Sequence, residues 1–423
     1  MWEKILQIWK IKDLRKKIMF VLAMLVIFRV AAHIPIPGVN AENLKEFFGS
    51  NQVLGLMNVF SGGGMENFSI VMMGIAPYIT ASIIFQLLGM IIPKLEEMMK
   101  EPAGRQKVNM YTRISTVPLA ILQAFGMITL LRQAPQPIIE NYNFVTLAAM
   151  LITITAGTVF LMWIGELITE KKIGNGISLL IFAGIVSSVP SAIQQLLINF
   201  NREQVVTLIV YAIIALITIA GVVIITEGQR NIPVSYAKRI RGMKMYGGMN
   251  THLPLRVNQA GVIPIIFAIS IVLFPPMVAQ FMLRASSSLV SGIGQFIIDA
   301  FNNQLIYGVL YFLLVFAFTY FYTAVIFHPY QIAENLQKNG AFIPGIRPGK
   351  NTAEYLNYTI SKITLTGALF LAIIAVLPLV LQQTTGLQSM VIGGTSLLIV
   401  VSVVIEMMKQ IESQLTMRDY DGF

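Results

Sequence analysis

Three histidines, twenty acids and no cysteine are the raw material from which this 423-residue chain could build a reactive site. His33, His252 and His328 lie far apart, near the ends of apolar stretches, and no H-E-x-x-H or other ligand spacing joins them. They read as interfacial or loop residues, and no metal site is expected. The lack of cysteine removes disulfides, thiolate metal sites and cysteine nucleophiles, and leaves the redox compartment open. "GIRPGK" (345–350) has the look of a phosphate loop, but only three residues separate its glycines and Asn351 stands where a Ser or Thr would hold magnesium. No nucleotide site or other cofactor is expected, so any ATP-driven work must come from a partner. Glu166, Glu170, Glu227 and Glu406 fall at or near the ends of apolar runs, and no acid sits inside one. A proton-coupled carrier needs a protonatable group on its pathway. A sodium-coupled carrier built on backbone carbonyls survives this argument. The single charge within an apolar run is Arg29, a placement costing about 2.5–3.5 kcal/mol at a helix centre. It is expected to be structural, pairing with an acid or with carbonyls across the molecule.

The elements that position these residues are membrane spans. The chain is 56% hydrophobic and 12% charged, about half the charge of a soluble protein. Ten apolar runs, roughly 18–36, 72–92, 115–131, 145–165, 175–192, 205–226, 258–275, 305–326, 363–381 and 391–408, each approach the ~20 residues a bilayer needs. Counted by alternate connections, 25 Lys and Arg fall on one side and four on the other. The positive-inside rule then places both termini in the cytoplasm, which accounts for the net charge of +10 without nucleic acid. "MWEKILQIWKIKDLRKK" is long and basic and no small-residue cleavage site follows, so it is not read as a cleaved signal peptide. Trp2, Ile5, Leu6 and Trp9 can share one helix face; the stretch is either an amphipathic anchor on the membrane surface or an ordinary basic flank. Ten spans divide into five and five. An odd number per half reverses the orientation of the second half, the geometry of an inverted repeat, with its joint near Asn199 to Glu203.

Several runs are weakly apolar. The second carries Pro77, Thr80, Ser82 and Gln86, the third Gln123, and the fifth Ser178, Ser187, Ser188 and Pro190. Such residues either bond between helices or line a cavity, and their clustering favours a cavity. Just before the second run stands "SGGGMENFS" (61–69), too short and too polar to span. Its glycines permit a sharp turn. Irregular backbone at membrane depth survives only where it lines a cavity or is buried in protein. The segment is either a re-entrant piece at the outer mouth of a pore or an ordinary outside loop. The pairs Met72–Met73 and Met98–Met99 suit varied apolar ligands or fill lipid-facing space.

Nine motifs, in order, resemble the SecY/Sec61 alpha family of protein-translocation channels: "HIPIPG" (33–38), "FSGG" (60–63), "GIAPYITASIIFQLL" (74–88), "AGRQK...YTR" (103–113), "KIGNGISLLIFAGIV" (172–186), "IPVSYAKR" (232–239), "THLPLRVNQAGVIPIIFA" (251–268), "AFIPGIRPGK" (341–350) and "IGGTSLLIVV" (392–401). They cover nearly the whole chain. Each alone is weak, and together they are specific.

The resemblance implies an all-α polytopic membrane protein of the bacterial cytoplasmic membrane. Ten helices would form a clamshell of two inverted halves, 18–200 and 201–408, with a cytoplasmic N-terminal helix over 1–17 and a tail over 409–423. It implies a short plug helix at Ser61, Gly62, Gly63, Gly64, Met65, Glu66, Asn67, Phe68 and Ser69. It implies a waist of apolar side chains at Ile75, Ile79, Ile181, Ile266 and Ile399, and a lateral gate near Thr80, Ser82, Gln86 and Gln123. An isoleucine ring makes physical sense, because a hydrophobic constriction gates by dewetting and β-branched side chains are stiff. The cytoplasmic loops 227–257 and 327–362 would dock a SecA motor ATPase or the ribosome through Arg105, Lys238, Arg239, Arg241, Lys244, Arg347 and Lys350. For 238–244 a purely topological role is the alternative. Where many members carry two adjacent basic residues, this chain has Met243–Lys244. Small SecE-like and SecG-like subunits, signal peptides, unfolded preproteins and lipid are the other implied partners. The expected function is a gated protein-conducting channel without catalysis. The rivals are an inverted-repeat transporter for a small solute, which leaves "SGGGMENFS" without a task, and an intramembrane enzyme, for which no constellation of acid, metal or nucleophile exists.

Overall fold

Helices begin and end in this chain where proline, glycine and charge dictate. A computed structural model describes residues 11–40, 42–44, 47, 58, 61–132, 137–139, 143–198, 205–236, 239–241, 244–246, 250–272, 274–283, 287–385 and 394–421. The first half contains α1 (Lys12–Ala31), α2 (Ala76–Ile91), α3 (Pro93–Lys100), α4 (Pro102–Leu131), α5 (Phe144–Glu170) and α6 (Gly176–Ile198). Proline opens α2, α3 and α4 within their first two positions, where its missing N–H costs nothing. Pro93 also ends the preceding helix, and α2 and α3 meet at 108°. Then follow α7 (Val205–Glu227), β1 (Gln229–Tyr236), β2 (Arg239–Arg241), β3 (Lys244–Tyr246), β4 (Asn250–Arg256), α8 (Ile263–Val272) and α9 (Phe274–Met282). The chain ends through α10 (Ser288–Asn302), α11 (Gln304–Ile326), α12 (Pro329–Lys338), β5 (Ala341–Phe342), α13 (Lys350–Thr385) and α14 (Gly394–Asp421).

Each of the ten expected spans falls on a helix: α1, α2, α4, α5, α6, α7, α8, α11, α13 and α14. By length and apolar composition alone, four stretches among the described residues can cross a bilayer: Pro102–Leu131, Phe144–Glu170, Gln304–Lys338 and Lys350–Leu381. The bent pair α2–α3 makes a fifth. The remaining helices are shorter in their apolar parts or, like α1, begin in charged residues. Helices α4, α13 and α14 run well beyond the expected spans, because the helix continues into polar sequence after the apolar run ends.

Packing divides the helices into two groups. In the first, α1 lies on α5 and α6, α2 on α4, and α5 between α4 and α6. In the second, α11 packs on α8 and α13, and α14 on α7 and α13. The groups meet along one seam where α2 touches α8 and α4 touches α9, and along another where α6 touches α14. A large apolar core runs through both groups. A second core, rich in methionine, holds Met65, Phe68, Met72, Met73, Met127 and Met150 in the first group. Met72 and Met73 are fully buried, so neither fills lipid-facing space.

The short helix expected over Ser61–Ser69 is instead a run of tight turns that continues to Ile75. Gly62, Gly63, Phe68 and Gly74 have positive φ, which interrupts any right-handed helix. One helix-type bond remains, from Asn67 N–H to the Gly63 carbonyl at 3.3 Å. Several short elements between the spans were not foreseen. Helix α10 is an amphipathic piece between the seventh and eighth spans, with Leu289 and Phe296 exposed. The loops after α7 and α12 carry an antiparallel sheet in the order β4–β1–β5, with Ile232 opposite Leu253 and Ser235 opposite Phe342. Strands β2 and β3 form a separate hairpin. The amphipathic stretch over residues 1–10 and the joint at 199–204 lie outside the described residues.

Candidate functional site

Four of the five waist isoleucines meet. Ile75 at the start of α2, Ile79 one turn on, Ile181 of α6 and Ile266 of α8 line one apolar cavity of ≈ 60 Å³. Each is at least 90% buried. The lining draws on both helix groups: α2 and α6 from the first, α8 from the second. Ile399 of α14 is fully buried in the same core but does not line the cavity. Ile269 does line it, and sequence reasoning missed that residue. The signal was available, since Ile269 lies three residues after Ile266 and so shares its helix face.

The segment 61–69 closes one side of this cavity. Ser61 and Met65 belong to its lining together with Met73 and Gly74. The segment is largely buried: Ser61, Met65, Phe68 and Ser69 are each at most 3% exposed. Several of its polar groups are bonded locally, while the buried Ser69 hydroxyl has no hydrogen-bond partner. Asn58 donates through Nδ2 to Glu66 Oε2 at 2.9 Å, and the Glu66 N–H donates back to Asn58 Oδ1 at 2.9 Å. The Ser61 hydroxyl donates to the Asn58 carbonyl and accepts from the Met65 N–H. The segment's far end pairs with the chain after α1, through Ile36 N–H to the Phe68 carbonyl at 2.9 Å and Ile70 N–H to the Ile34 carbonyl at 3.1 Å. Arg29 donates through Nη1 to the Gly62 carbonyl at 2.5 Å. The expected carbonyl partner is therefore present, but it belongs to the same half of the molecule.

The seam residues fall into two pairs. Gln123 of α4 donates to the Thr80 hydroxyl of α2 at 3.4 Å, and Gln86 donates to Ser82 at 3.0 Å within α2. Gln86 Oε1 is buried without a hydrogen-bond partner. Elsewhere, Arg113 and Glu166 bridge α4 to α5 at 2.6 Å, and Lys409 and Glu227 bridge α14 to α7 at 2.8 Å. These pairs give two of the span-end acids a structural role.

Beside the basic residues of the loops lies a small packed platform. Ile232 and Val234 of β1, Leu255 of β4, Ile343 and Leu356 form a separate apolar core beneath the sheet. Arg239 and Arg241 lie on β2 and Lys244 on β3, whereas Lys238 lies outside the described residues. Arg347 and Lys350 are exposed, and the Thr352 hydroxyl donates to the Arg347 carbonyl at 3.0 Å, which fixes the turn. Exposed Arg105 donates through Nε to the Met99 carbonyl at 2.6 Å. Nearby on α12, the hydrogen bond and charge of Lys338 hold the Glu334 carboxyl below the usual range.

A family model described as SecY matches residues 69–408. The chain is 45% identical to the "Protein translocase subunit SecY" of Mycobacterium tuberculosis, covering 97% of each chain. It is 44% identical to that of Halalkalibacterium halodurans over the whole of both. Among solved structures, a protein-conducting channel superposes with a TM-score of 0.62 at 18% identity, covering 94% of this chain and 91% of the other. Sec61 from a canine ribosome-channel complex superposes at 0.60 and 17%, with the same coverage. At these identities the superpositions establish a common fold.

Proposed function

The chain belongs to the SecY family, and from that premise we propose how its parts divide the work of a protein-conducting channel. It is a multi-pass membrane protein, the channel subunit of a protein translocase. It passes unfolded polypeptides across the membrane and releases apolar segments sideways into lipid. The observation that carries this reading is the cavity where isoleucines of both halves converge beside the 61–69 segment. Ile75, Ile79, Ile181 and Ile266, with Ile269 added, serve as the waist, and Ile399 supports it from behind. A ring of stiff apolar side chains excludes water and ions at rest, and it imposes no hydrogen-bond preference on the sequence that passes. Segment 61–69 is the plug. The seam between α2–α4 and α8–α9, with Thr80, Ser82, Gln86 and Gln123 on or near it, is the lateral gate.

The charge asymmetry supports a cytoplasmic position for the termini and the sheet-bearing loops. There Arg347, Lys350, Arg105 and the basic residues 238–244 offer contacts to a motor ATPase or to ribosomal RNA, and contacts to RNA weaken with salt. SecE-like and SecG-like helices would complete the complex. No catalytic role is assigned: the energy for transport comes from the partner, and the chain supplies a path and a seal. A small-solute carrier finds little support in a cavity lined by isoleucine and methionine.

The test uses the natural absence of cysteine. A single cysteine replaces Ile75, and a signal-bearing polypeptide with one cysteine is stalled midway through the reconstituted complex. A disulfide at position 75, absent from a lipid-facing control such as Ile152→Cys, is the expected result. A loaded complex that forms no such bond would move the path away from this cavity.

A further inference from the structure

Gly62 is where the plug segment meets the wall. Its carbonyl accepts the hydrogen bond from Arg29, which stands in the last turn of α1. A Cβ built on Gly62 would lie 2.9 Å from Phe28 Cζ of α1 and 3.1 Å from Gly184 Cα of α6. Its φ of +69° is one that a side chain resists. The backbone is thus pressed into a slot between α1 and α6 that only glycine fits, with a guanidinium closing the slot. The other end of the segment is tied to residues 34–36, just beyond α1, by two neutral backbone bonds. One helix and its continuation therefore hold both ends, and the charged contact is at the end nearest the cavity.

We propose that Arg29 is a positioning residue for the channel's gate: a latch that seats the plug by holding the Gly62 carbonyl in the α1–α6 slot. This rests on the reading of 61–69 as the plug. A half-buried guanidinium at membrane depth needs a carbonyl or water as its partner. With the plug seated, Gly62 supplies it. When the plug leaves, water entering the pore takes its place. The contact to Gly62 favours only the closed state, and removing it shifts the balance toward opening. The first membrane helix, whose main packing is on α5 and α6 and not on the lateral gate helices α2 and α4, thereby sets how readily the channel opens.

The test compares four variants of the complete, reconstituted complex in planar bilayers. Deleting residues 62–68 should raise the resting ion conductance most. Arg29→Leu should raise it about tenfold, since a hydrogen bond from a charged donor is lost from the closed state alone. Arg29→Lys, which keeps a donor, should fall between Arg29→Leu and the parent. Gly62→Ala removes the seat without touching Arg29 and should leak like Arg29→Leu. A second readout separates a latch from general loosening of the bundle. In the Arg29→Leu background, Asn67→Cys in the plug should react faster with an impermeant maleimide, while Ile154→Cys in the core of the first half stays protected. If the deletion leaks but Arg29→Leu and Gly62→Ala stay as tight as the parent, the latch is wrong and the plug reading stands. If Ile154→Cys becomes as reactive as Asn67→Cys, Arg29 supports the bundle and not the gate. If the deletion itself leaves the conductance unchanged, the plug reading falls and takes the latch with it.

Discussion

At the scale of single residues, the channel's seal depends on side chains that water cannot wet. Ile266 sits on α8 and shares with the isoleucines of α2 and α6 a cavity whose lining is mostly apolar. Ile266→Asn should therefore raise resting conductance several-fold by letting water bridge the constriction. Ile266→Val, which keeps the β-branch, should change it little. Single-channel recording without a precursor makes the comparison, and equal conductance in the two variants would mean the seal lies elsewhere. Much of this site was readable from sequence, because Ile75, Ile79, Ile181 and Ile266 each stand in a distinctive motif. Ile399 shows where that reading stops. A motif assigns a residue to a helix but not to a face, and one turn of helix decides between lining a cavity and packing behind it. Arg29 shows a second limit. Its need for a partner follows from its charge, but the identity of that partner depends on a backbone carbonyl 33 residues away, which no side-chain pattern encodes.

At the scale of elements, the small sheet turns two distant loops into one platform. Strand β1 pairs with β4 on one side and, across more than a hundred residues of sequence, with β5 on the other. The alternation of Ile232 and Val234 with exposed residues is a strand signal visible in the sequence. Its partner β5 is two residues long, too short for any periodicity, so the joining of the loops was not foreseeable. The helix expected over 61–69, the segment proposed as the plug, failed for a related reason: its composition permits a helix, and only the positive φ at Gly62, Gly63 and Phe68 breaks it. The platform leads to a prediction. Because Arg347 is exposed while its backbone is held by Thr352, Arg347→Glu should reverse a surface charge without disturbing the sheet. Transport driven by the motor, or docking of the ribosome, should fall while insertion of the chain into the membrane stays normal. Translocation at the parent rate with both partners would remove Arg347 from the contact.

At the scale of the whole molecule, the two helix groups touch along two seams of different character. The front seam joins α2 to α8, beside the apolar cavity, and α4 to α9. The back seam joins α6 to α14 and is tied by polar groups: Gln414 of α14 donates to the Lys172 carbonyl before α6 and accepts from Lys17 of α1 at 3.5 Å. A clamshell that admits a polypeptide and releases apolar helices sideways must open at one seam and hinge at the other. The polar ties at the back seam support the proposed reading, in which the front opens and the back hinges. The chain's lack of cysteine makes this directly testable. Ile79→Cys with Ile269→Cys, both lining the cavity but from opposite groups, can be joined by a short thiol crosslinker. So can Lys172→Cys with Gln414→Cys, whose parent residues are in contact. Joining the front pair should stop transport and sideways release of signal segments. Joining the back pair should leave transport near the uncrosslinked rate, because a hinge turns without separating its sides. The opposite pattern, with the front-locked complex active and the back-locked one dead, would exchange the two seams and place the lateral exit beside α6 and α14.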